Sequence, residues 1–152
     1  MHEIRLIRYD SDAYREMVAL RDEILRRPLG LHFTPAYLAQ ELDDVLIGCY
    51  GTDPGDTALM GCCILSPVDE ELVQLRQMAV REDLQRGGIG RELMEFAERK
   101  AAELGFLTLM MHARKIAVPF YERLGYRAVG EEFLEVGIPH MEMTKDLRQI
   151  PW

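Results

Sequence analysis

The sequence has few cysteines and no long apolar run. Its three cysteines, Cys49, Cys62 and Cys63, are an odd number, and none is spaced as a metal-binding pair. The sequence therefore predicts buried, reduced thiols and no metal site. No apolar stretch approaches the roughly 18 residues that a membrane span needs, and the polar start is unlike a signal peptide. We expect a soluble, cytoplasmic protein.

Basic residues are also scarce. The chain has 18 Lys and Arg against 26 Asp and Glu, which gives a formal net charge of −8. Because no basic stripe is present, a nucleic-acid surface is excluded. The negative charge mildly favours a cationic substrate such as an amine. The length of 152 residues predicts one domain, residues 1–152.

Periodicity predicts alternating strands and helices in a mixed sheet with helices on both sides. Strands are predicted at residues 2–8, 45–50, 57–65, 72–80, 106–112, 126–136 and 141–145. Helices are predicted at 11–30, 34–42 and 89–104, and a further helix begins at residue 117. The last two strands are predicted to be joined through residues 137–140.

A glycine-rich loop separates the strand at 72–80 from the amphipathic helix that follows it. Gly87, Gly88 and Gly90 lack a Cβ, so the main chain can approach a ligand closely. The free N–H groups of a helix start attract an anion, and Arg86 and Arg91 add positive charge. The pattern predicts a pyrophosphate cradle. The alternative is a tight turn without a ligand.

Two phosphate-binding classes do not fit this loop. A P-loop needs Lys-Ser or Lys-Thr after its last glycine, and the sequence lacks that pair. A dinucleotide-binding fold places its glycines after a first strand, with an acidic ribose ligand about 20 residues further on. Here the loop lies past the middle of the chain.

Two sequence blocks resemble a known family. Residues Gln85-Arg86-Gly87-Gly88-Ile89-Gly90 resemble the pyrophosphate-binding signature of the GCN5-related N-acetyltransferases (GNAT). Residues 117–126, Ala-Val-Pro-Phe-Tyr-Glu-Arg-Leu-Gly-Tyr, resemble a later helix of that family. Gly137-Ile138-Pro139-His140 is similar to its ElaA/YjcF-like branch. The resemblance implies a mixed, mostly antiparallel α/β sheet of about six or seven strands with helices on both faces.

The resemblance also implies the activity: transfer of an acetyl group from acetyl-coenzyme A to a primary amine by direct attack in a ternary complex. The implied partner is a small-molecule amine, with no metal, and a homodimer is left open. Two alternatives remain. One is a non-catalytic acyl-coenzyme A sensor, and the other is an acetyltransferase acting on protein lysines or N-termini.

The resemblance assigns residues to the coenzyme. Met78, Ala79 and Val80 are expected to offer main-chain groups to the pantetheine arm, with an N–H near Met78 facing the thioester oxygen. Tyr121 is expected to be the general acid that protonates the departing thiolate. The residues expected to bind the coenzyme are Met78, Ala79, Val80, Gln85, Arg86, Gly87, Gly88, Ile89, Gly90, Arg91, Arg114 and Tyr121. Arg114 departs from the family, which often has asparagine there.

No carboxylate stands where some relatives carry a general base, because Arg76 and Gln77 occupy that region. His112 and His140 are the candidate bases, with Glu132 behind them. The alternatives are histidines satisfied by local hydrogen bonds and a solvent relay without a dedicated base. Polar residues that could contact the acceptor are Arg26, Arg27, His32, Tyr37, Glu131, Glu132 and His140. Arg26 and Arg27 are expected to form a solvated helix end. If they instead face the pocket, their positive charge would suit a carboxylate or phosphate on the acceptor.

Overall fold

The computed structural model describes residues 2–150, so Met1, Pro151 and Trp152 of the predicted domain lie outside it. One seven-stranded sheet has the order β1-β2-β3-β4-β5-β7-β6. Its strands are β1 His2–Ile7, β2 Val45–Gly51, β3 Leu59–Pro67, β4 Leu72–Val80, β5 Thr108–Arg114, β6 Arg127–Glu135 and β7 Ile138–Asp146. The α-helices are α1 Asp12–Arg21, α2 Pro35–Ala39, α3 Ile89–Glu103 and α4 Val118–Arg123.

The sheet is mixed and mostly antiparallel, as predicted. β4 and β5 are parallel, whereas β1 and β2, β2 and β3, β5 and β7, and β6 and β7 pair antiparallel. No helix among residues 2–150 has both the length and the apolarity to cross a membrane. The described chain divides into two compact units. That residues 1–152 form a single domain stays a prediction.

The first unit comprises residues up to 66 and residues 77–97. Cys62 and Ile64 of β3 belong to the same buried cluster as Met17 of α1. The neighbouring residue Gly61 faces α3, because a Cβ added there would be 3.0 Å from Cγ2 of Ile89. Since successive strand residues point to opposite faces, α1 and α3 cover opposite faces of β3, which confirms the predicted helices on both faces.

The second unit comprises residues 67–76 and residues from 98 onward. Its buried side holds a polar network: Tyr126 Oη donates to Glu98 Oε2 at 2.7 Å, and Lys145 Nζ lies 3.1 Å from the same oxygen. Lys145 also donates to the carbonyl of Leu124 at 2.7 Å. The network therefore fixes the Leu-Gly-Tyr segment that follows α4.

The first predicted helix is interrupted. Residues 11–30 were expected as one helix, but α1 ends at Arg21. The chain continues as a π-helix, Asp22–Arg26, and a 3₁₀ turn, Arg27–Leu29. Pro28 has no N–H to donate to a continuing α-helix, and Gly30, with φ 72°, ends the segment. The polar side chains of this segment therefore do not continue the α-helical spacing of α1.

The last hairpin also differs from the prediction. The turn was expected at residues 137–140, but β7 already begins at Ile138. The two connecting residues are Val136, with φ 46°, and Gly137, with φ 77°. Two central residues with positive φ are typical of the tight turn that suits the twist of a hairpin. Pro139 and His140 therefore lie within β7, paired with Leu134 and Phe133 of β6.

A buried ion pair lies beneath α1 in the first unit. Arg21 donates to both carboxylate oxygens of Glu41, at 2.9 and 2.7 Å, and both residues have no exposed surface. Tyr14 Oη donates to Glu41 Oε1 at 2.6 Å. Burial, followed by the neighbouring Glu41 carboxylate, raises the pKa of Tyr14. The tyrosine therefore stays protonated and neutral.

Glu41→Gln is expected to lower the free energy of unfolding by about 3–5 kcal/mol, because it leaves the Arg21 charge buried without a counter-ion. Urea denaturation measures the change. The control is Glu95→Gln, whose exposed partner Arg91 lies 3.9 Å away and whose loss costs a few tenths of a kcal/mol. Equal, small effects of both substitutions would contradict a stabilising role for the pair.

Candidate functional site

One residue of β4 has a left-handed backbone conformation, just before the end of the strand that is predicted to bind the ligand. Gln77 has φ 57°, and its carbonyl accepts from Cys62 Sγ at 3.8 Å. The parallel pairing of β4 with β5 runs from Leu72 to Leu75. Met78, Ala79 and Val80 lie beyond the end of that pairing. The strand is therefore irregular, and no longer paired in parallel with β5, directly before the predicted thioester-binding groups.

The glycine loop has the geometry of an anion cradle. Gln85 Nε2 donates to the carbonyl of Val80 at 3.2 Å, which ties the loop to the end of β4. Arg86 and Gly88 both have positive φ, 68° and 92°. The first helical hydrogen bond runs from Glu92 N to Gly88 O at 3.1 Å.

The N–H groups of Ile89, Gly90 and Arg91 therefore precede the hydrogen-bonded ladder of α3 and are available to an anion. The space beside Gly88 is open, because a Cβ added there would meet no atom within 4 Å.

Gly61 holds the start of α3 against the strands. A Cβ at this position would lie 3.1 Å from Leu93 Cδ1 and 3.2 Å from the carbonyl of Ala79. Because the glycine has no side chain, the first turns of α3 pack directly on β3 and β4. This close packing keeps the helix start next to the end of β4.

Carboxylates flank the other side of the loop. Arg81 lies 2.9 Å from Asp83, and this hydrogen bond lowers the pKa of the Asp83 carboxyl. A surface concavity of about 380 Å³ here is lined by Arg81, Asp83, Glu23 and Glu82. With three carboxylates around one arginine, this concavity does not suit a phosphate, and none of the predicted site residues lines it.

Tyr121 lies in the core of the second unit with 6% of its surface exposed. Its ring packs edge-on against Phe120, at a centroid distance of 5.0 Å, and against Tyr126, at 5.9 Å. Its carbonyl accepts from the N–H of Leu124 at 3.0 Å. The motif that predicted Tyr121 therefore forms a short helix in which the ring is packed between Phe120 and Tyr126.

The two candidate bases meet at one carboxylate of the second unit. His112 Nδ1 lies 2.9 Å from Glu135 Oε1, and His140 Nε2 lies 3.7 Å from Glu135 Oε2. The Phe133 ring is edge-on to His112 and stacked on His140, with centroids 5.1 and 6.0 Å away. The structure thus brings both predicted histidines together. Arg114 pairs with His140 in the β5–β7 register.

The partners of the two histidines fix their tautomers. A carboxylate only accepts, so His112 donates to Glu135 through Nδ1, and in the neutral ring Nε2 is the nitrogen that carries the lone pair. His140 Nδ1 lies 2.7 Å from the carbonyl of Ile138 and also carries a proton. The side chain of His112 is 31% exposed, whereas that of His140 is 5% exposed. His112 is therefore the better placed of the two to take a proton.

Glu135 was missed, and Glu132 was expected behind the histidines instead. Glu132 pairs with Lys115 at 2.9 Å. The period of two along a strand could have found Glu135, since it shares a face with Phe133 and His140 once the turn is placed at Val136 and Gly137.

The predicted acceptor residues of the first unit separate into two kinds. Arg27 and His32 are exposed and both contact Asp22, at 3.6 and 3.3 Å. Arg26 instead lies over the rings of Phe33 and Tyr37. Arg27 therefore fits the solvated helix end, and Arg26 does not. No pattern in the sequence indicated that Phe33 belongs to this cluster.

The three thiols are free and fully buried, as predicted. Burial raises the pKa of Cys49 to about 11 and that of Cys62 to about 12. Thiols that stay protonated at neutral pH are poor nucleophiles. Among residues 2–150, no group of three or more His, Cys, Asp or Glu is arranged to hold a metal ion.

Comparison with known proteins identifies the family. The model of the acetyltransferase (GNAT) domain matches residues 56–147. The uncharacterized N-acetyltransferase YjcF of Bacillus subtilis (strain 168) is 39% identical over 74 residues, which cover 48% of this chain and 53% of YjcF. The chain spans about half the length of the curated relatives it matches first. The chain belongs to the GNAT acetyltransferase family.

Solved structures show the same fold. Escherichia coli ElaA has a TM-score of 0.78 at 18% identity, covering 95% of this chain and 99% of ElaA. A GNAT family acetyltransferase from Elizabethkingia anophelis with acetyl-CoA bound has a TM-score of 0.71 at 19% identity, covering 95% and 97%. The family resemblance drawn from the two sequence blocks and the ElaA/YjcF-like similarity is confirmed.

Proposed function

We propose that this protein is an acetyl-CoA-dependent N-acetyltransferase that acts on the primary amine of a small molecule. The observation that carries the proposal is the anion cradle of residues 85–91, with the N–H groups of Ile89, Gly90 and Arg91 ahead of the α3 ladder. Family membership and an acetyl-CoA-bound structure of the same fold support it.

The cradle residues fit the pyrophosphate of the coenzyme. The α3 N–H groups would donate to its oxygens, and the positive end of the helix dipole favours its charge. Arg86 and Arg91 are exposed and can approach from solvent. Main-chain groups of Met78, Ala79 and Val80, beyond the β4–β5 pairing, would bind the pantetheine arm in the manner of an added strand, and Arg114 would contact the coenzyme through its guanidinium.

The chemistry needs a neutral amine, donors for the developing oxyanion and a proton for the thiolate. We assign the main-chain N–H near Met78 to the oxyanion. His112 Nε2 takes one proton from the ammonium, directly or through water, and the neutral amine then attacks the thioester carbonyl to form the C–N bond. Tyr121 Oη donates its proton to the sulfur as the C–S bond breaks. The second proton that the nitrogen loses on becoming an amide passes through water and restores the Tyr121 hydroxyl. Glu135 orients His112, and the buried His140 packs behind it.

The primary test mixes the protein with acetyl-CoA and a panel of amines and follows release of the coenzyme thiol. Turnover with a small amine supports the proposal. Tight coenzyme binding without thiol release across the panel would support the sensor alternative. Transfer only to peptides would support the protein acetyltransferase. The buried cysteines keep the background of a thiol reagent low.

Gly88→Asp is expected to abolish acetyl-CoA binding, measured by calorimetry, because it places a negative charge where the pyrophosphate is proposed to bind. Gly105→Asp is the matched control. Gly105 lies just beyond the other end of α3, has φ 94°, and a Cβ there also meets no atom within 4 Å. The backbone cost is therefore similar, and Gly105→Asp should bind acetyl-CoA normally. Normal affinity of Gly88→Asp would refute the cradle.

Tyr121→Phe is expected to lower kcat about 100-fold or more, the usual contribution of a general acid, while the affinity for acetyl-CoA stays nearly unchanged. Rapid-quench measurement of the chemical step checks this. Tyr126→Phe serves as the control, since its hydroxyl binds Glu98 at 2.7 Å. The control should lose stability and keep kcat. An unchanged chemical step in Tyr121→Phe would remove this tyrosine from its assigned role.

His112→Gln is expected to lower kcat/KM for the amine about 100-fold, the usual contribution of a general base. Glu135→Gln should lower kcat/KM less, because it disturbs only the orientation of the imidazole. Glu132→Gln, on the same strand but paired with Lys115, should leave kcat/KM unchanged. Steady-state kinetics with the amine measures all three variants. If His112→Gln keeps the wild-type kcat/KM, a solvent relay replaces the base.

A further inference from the structure

Arg26 presents its charge above two aromatic rings of the first unit. Its Cζ lies 4.7 Å from the ring centroid of Phe33 and 5.3 Å from that of Tyr37. On the Phe33 ring, Cζ of the buried Arg21 also lies 4.5 Å from the centroid, which helps hold the ring. A guanidinium stacked on rings keeps its N–H edge for a planar, bidentate acceptor.

The carboxylates around Arg26 are already engaged. Both oxygens of Glu41 accept from Arg21. The oxygens of Asp22, one turn before Arg26, lie 3.6 Å from Arg27 Nη2 and 3.3 Å from His32 Nδ1. No carboxylate of residues 2–150 forms an ion pair with Arg26. Arg26 is thus half-buried, charged and without a counter-ion in a chain of net charge −8.

The cluster is connected to the main chain that is proposed to bind the thioester. The Tyr37 hydroxyl accepts from Gln77 Nε2 at 2.9 Å. Gln77 is the left-handed residue of β4, and the next residue is Met78. Arg26, Tyr37 and Gln77 therefore form a chain of contacts that ends one residue from the proposed oxyanion donor.

We propose that Arg26 binds a carboxylate of the acceptor, so that the substrate class is a primary amine carrying a carboxylate. The inference rests on the proposed function. A single guanidinium beside neutral aromatic rings matches the one charge and planar fork of a carboxylate. A phosphate dianion would bring a second negative charge that no other cation of the cluster balances.

The test compares kcat/KM for matched acceptors: L-leucine with L-leucinamide, and β-alanine with β-alaninamide and O-phosphoethanolamine. The wild type should prefer the carboxylates in at least one series. Arg26→Gln should lower kcat/KM for that carboxylate about 10- to 100-fold, the range for a hydrogen bond to a charged group. Its kcat/KM for the amides and its affinity for acetyl-CoA should not change. Arg27→Gln, which removes the neighbouring exposed arginine, should behave as wild type.

A binding measurement separates this inference from the proposed function. Calorimetry should show N-acetyl-β-alanine or N-acetyl-L-leucine binding to the protein–coenzyme A complex and at least tenfold weaker binding to Arg26→Gln. If these ligands bind in a way that depends on Arg26 but no amine is turned over, the proposed enzyme activity is refuted and the carboxylate site is supported. Three results would overturn the carboxylate assignment and leave the proposed enzyme activity intact. They are equal turnover of acids and amides, a preference for O-phosphoethanolamine, and an equal fall of kcat/KM in Arg26→Gln and Arg27→Gln.

Discussion

A glutamine in the left-handed region of β4 is the constraint on which the proposed site depends. Such a conformation costs on the order of 1–3 kcal/mol and persists only where the surroundings impose it. Here the side-chain amide of Gln77 donates to the Tyr37 hydroxyl, and its carbonyl accepts from Cys62. The proposed oxyanion donor, the N–H near Met78, therefore lies directly after an irregular residue of the strand.

The two proposed ligand sites of the first unit, the anion cradle and the ring cluster of Arg26, are both linked to β4. Beyond Gln77, Gln85 returns to the carbonyl of Val80, and Gly61 lets α3 pack against the strand. On the other side, Gln77 reaches Tyr37 and, through it, the ring cluster of Arg26. Both the proposed anion cradle and the proposed acceptor cluster are thus hydrogen-bonded to one strand.

The sequence predicted those parts of the fold that depend on residue type. The glycines predicted the loop before α3, the alternation of apolar and polar residues predicted the strands, and the two family blocks predicted the sheet. It missed Gln77, because nothing about glutamine predicts positive φ. It misplaced the last turn, because Val136 disfavours the conformation that it adopts whereas Pro139 attracts a turn assignment. Glu135 was missed for the same reason, because the residues that share its face of the hairpin can be identified only when the turn is placed correctly.

The net charge of the protein does not by itself predict the charge of the acceptor, because many charges near the proposed acceptor site are already paired. The total of −8 favours a cationic substrate, but the field at a site depends on charges that are not already neutralised within about a Debye length. Around Arg26 the carboxylates of Glu41 and Asp22 are occupied by other cations. An amine that also carries a carboxylate, the proposed acceptor class, fits both the net and the local charge. Its ammonium group would be drawn to an acidic protein, and its carboxylate would meet Arg26, whose neighbouring carboxylates are already paired.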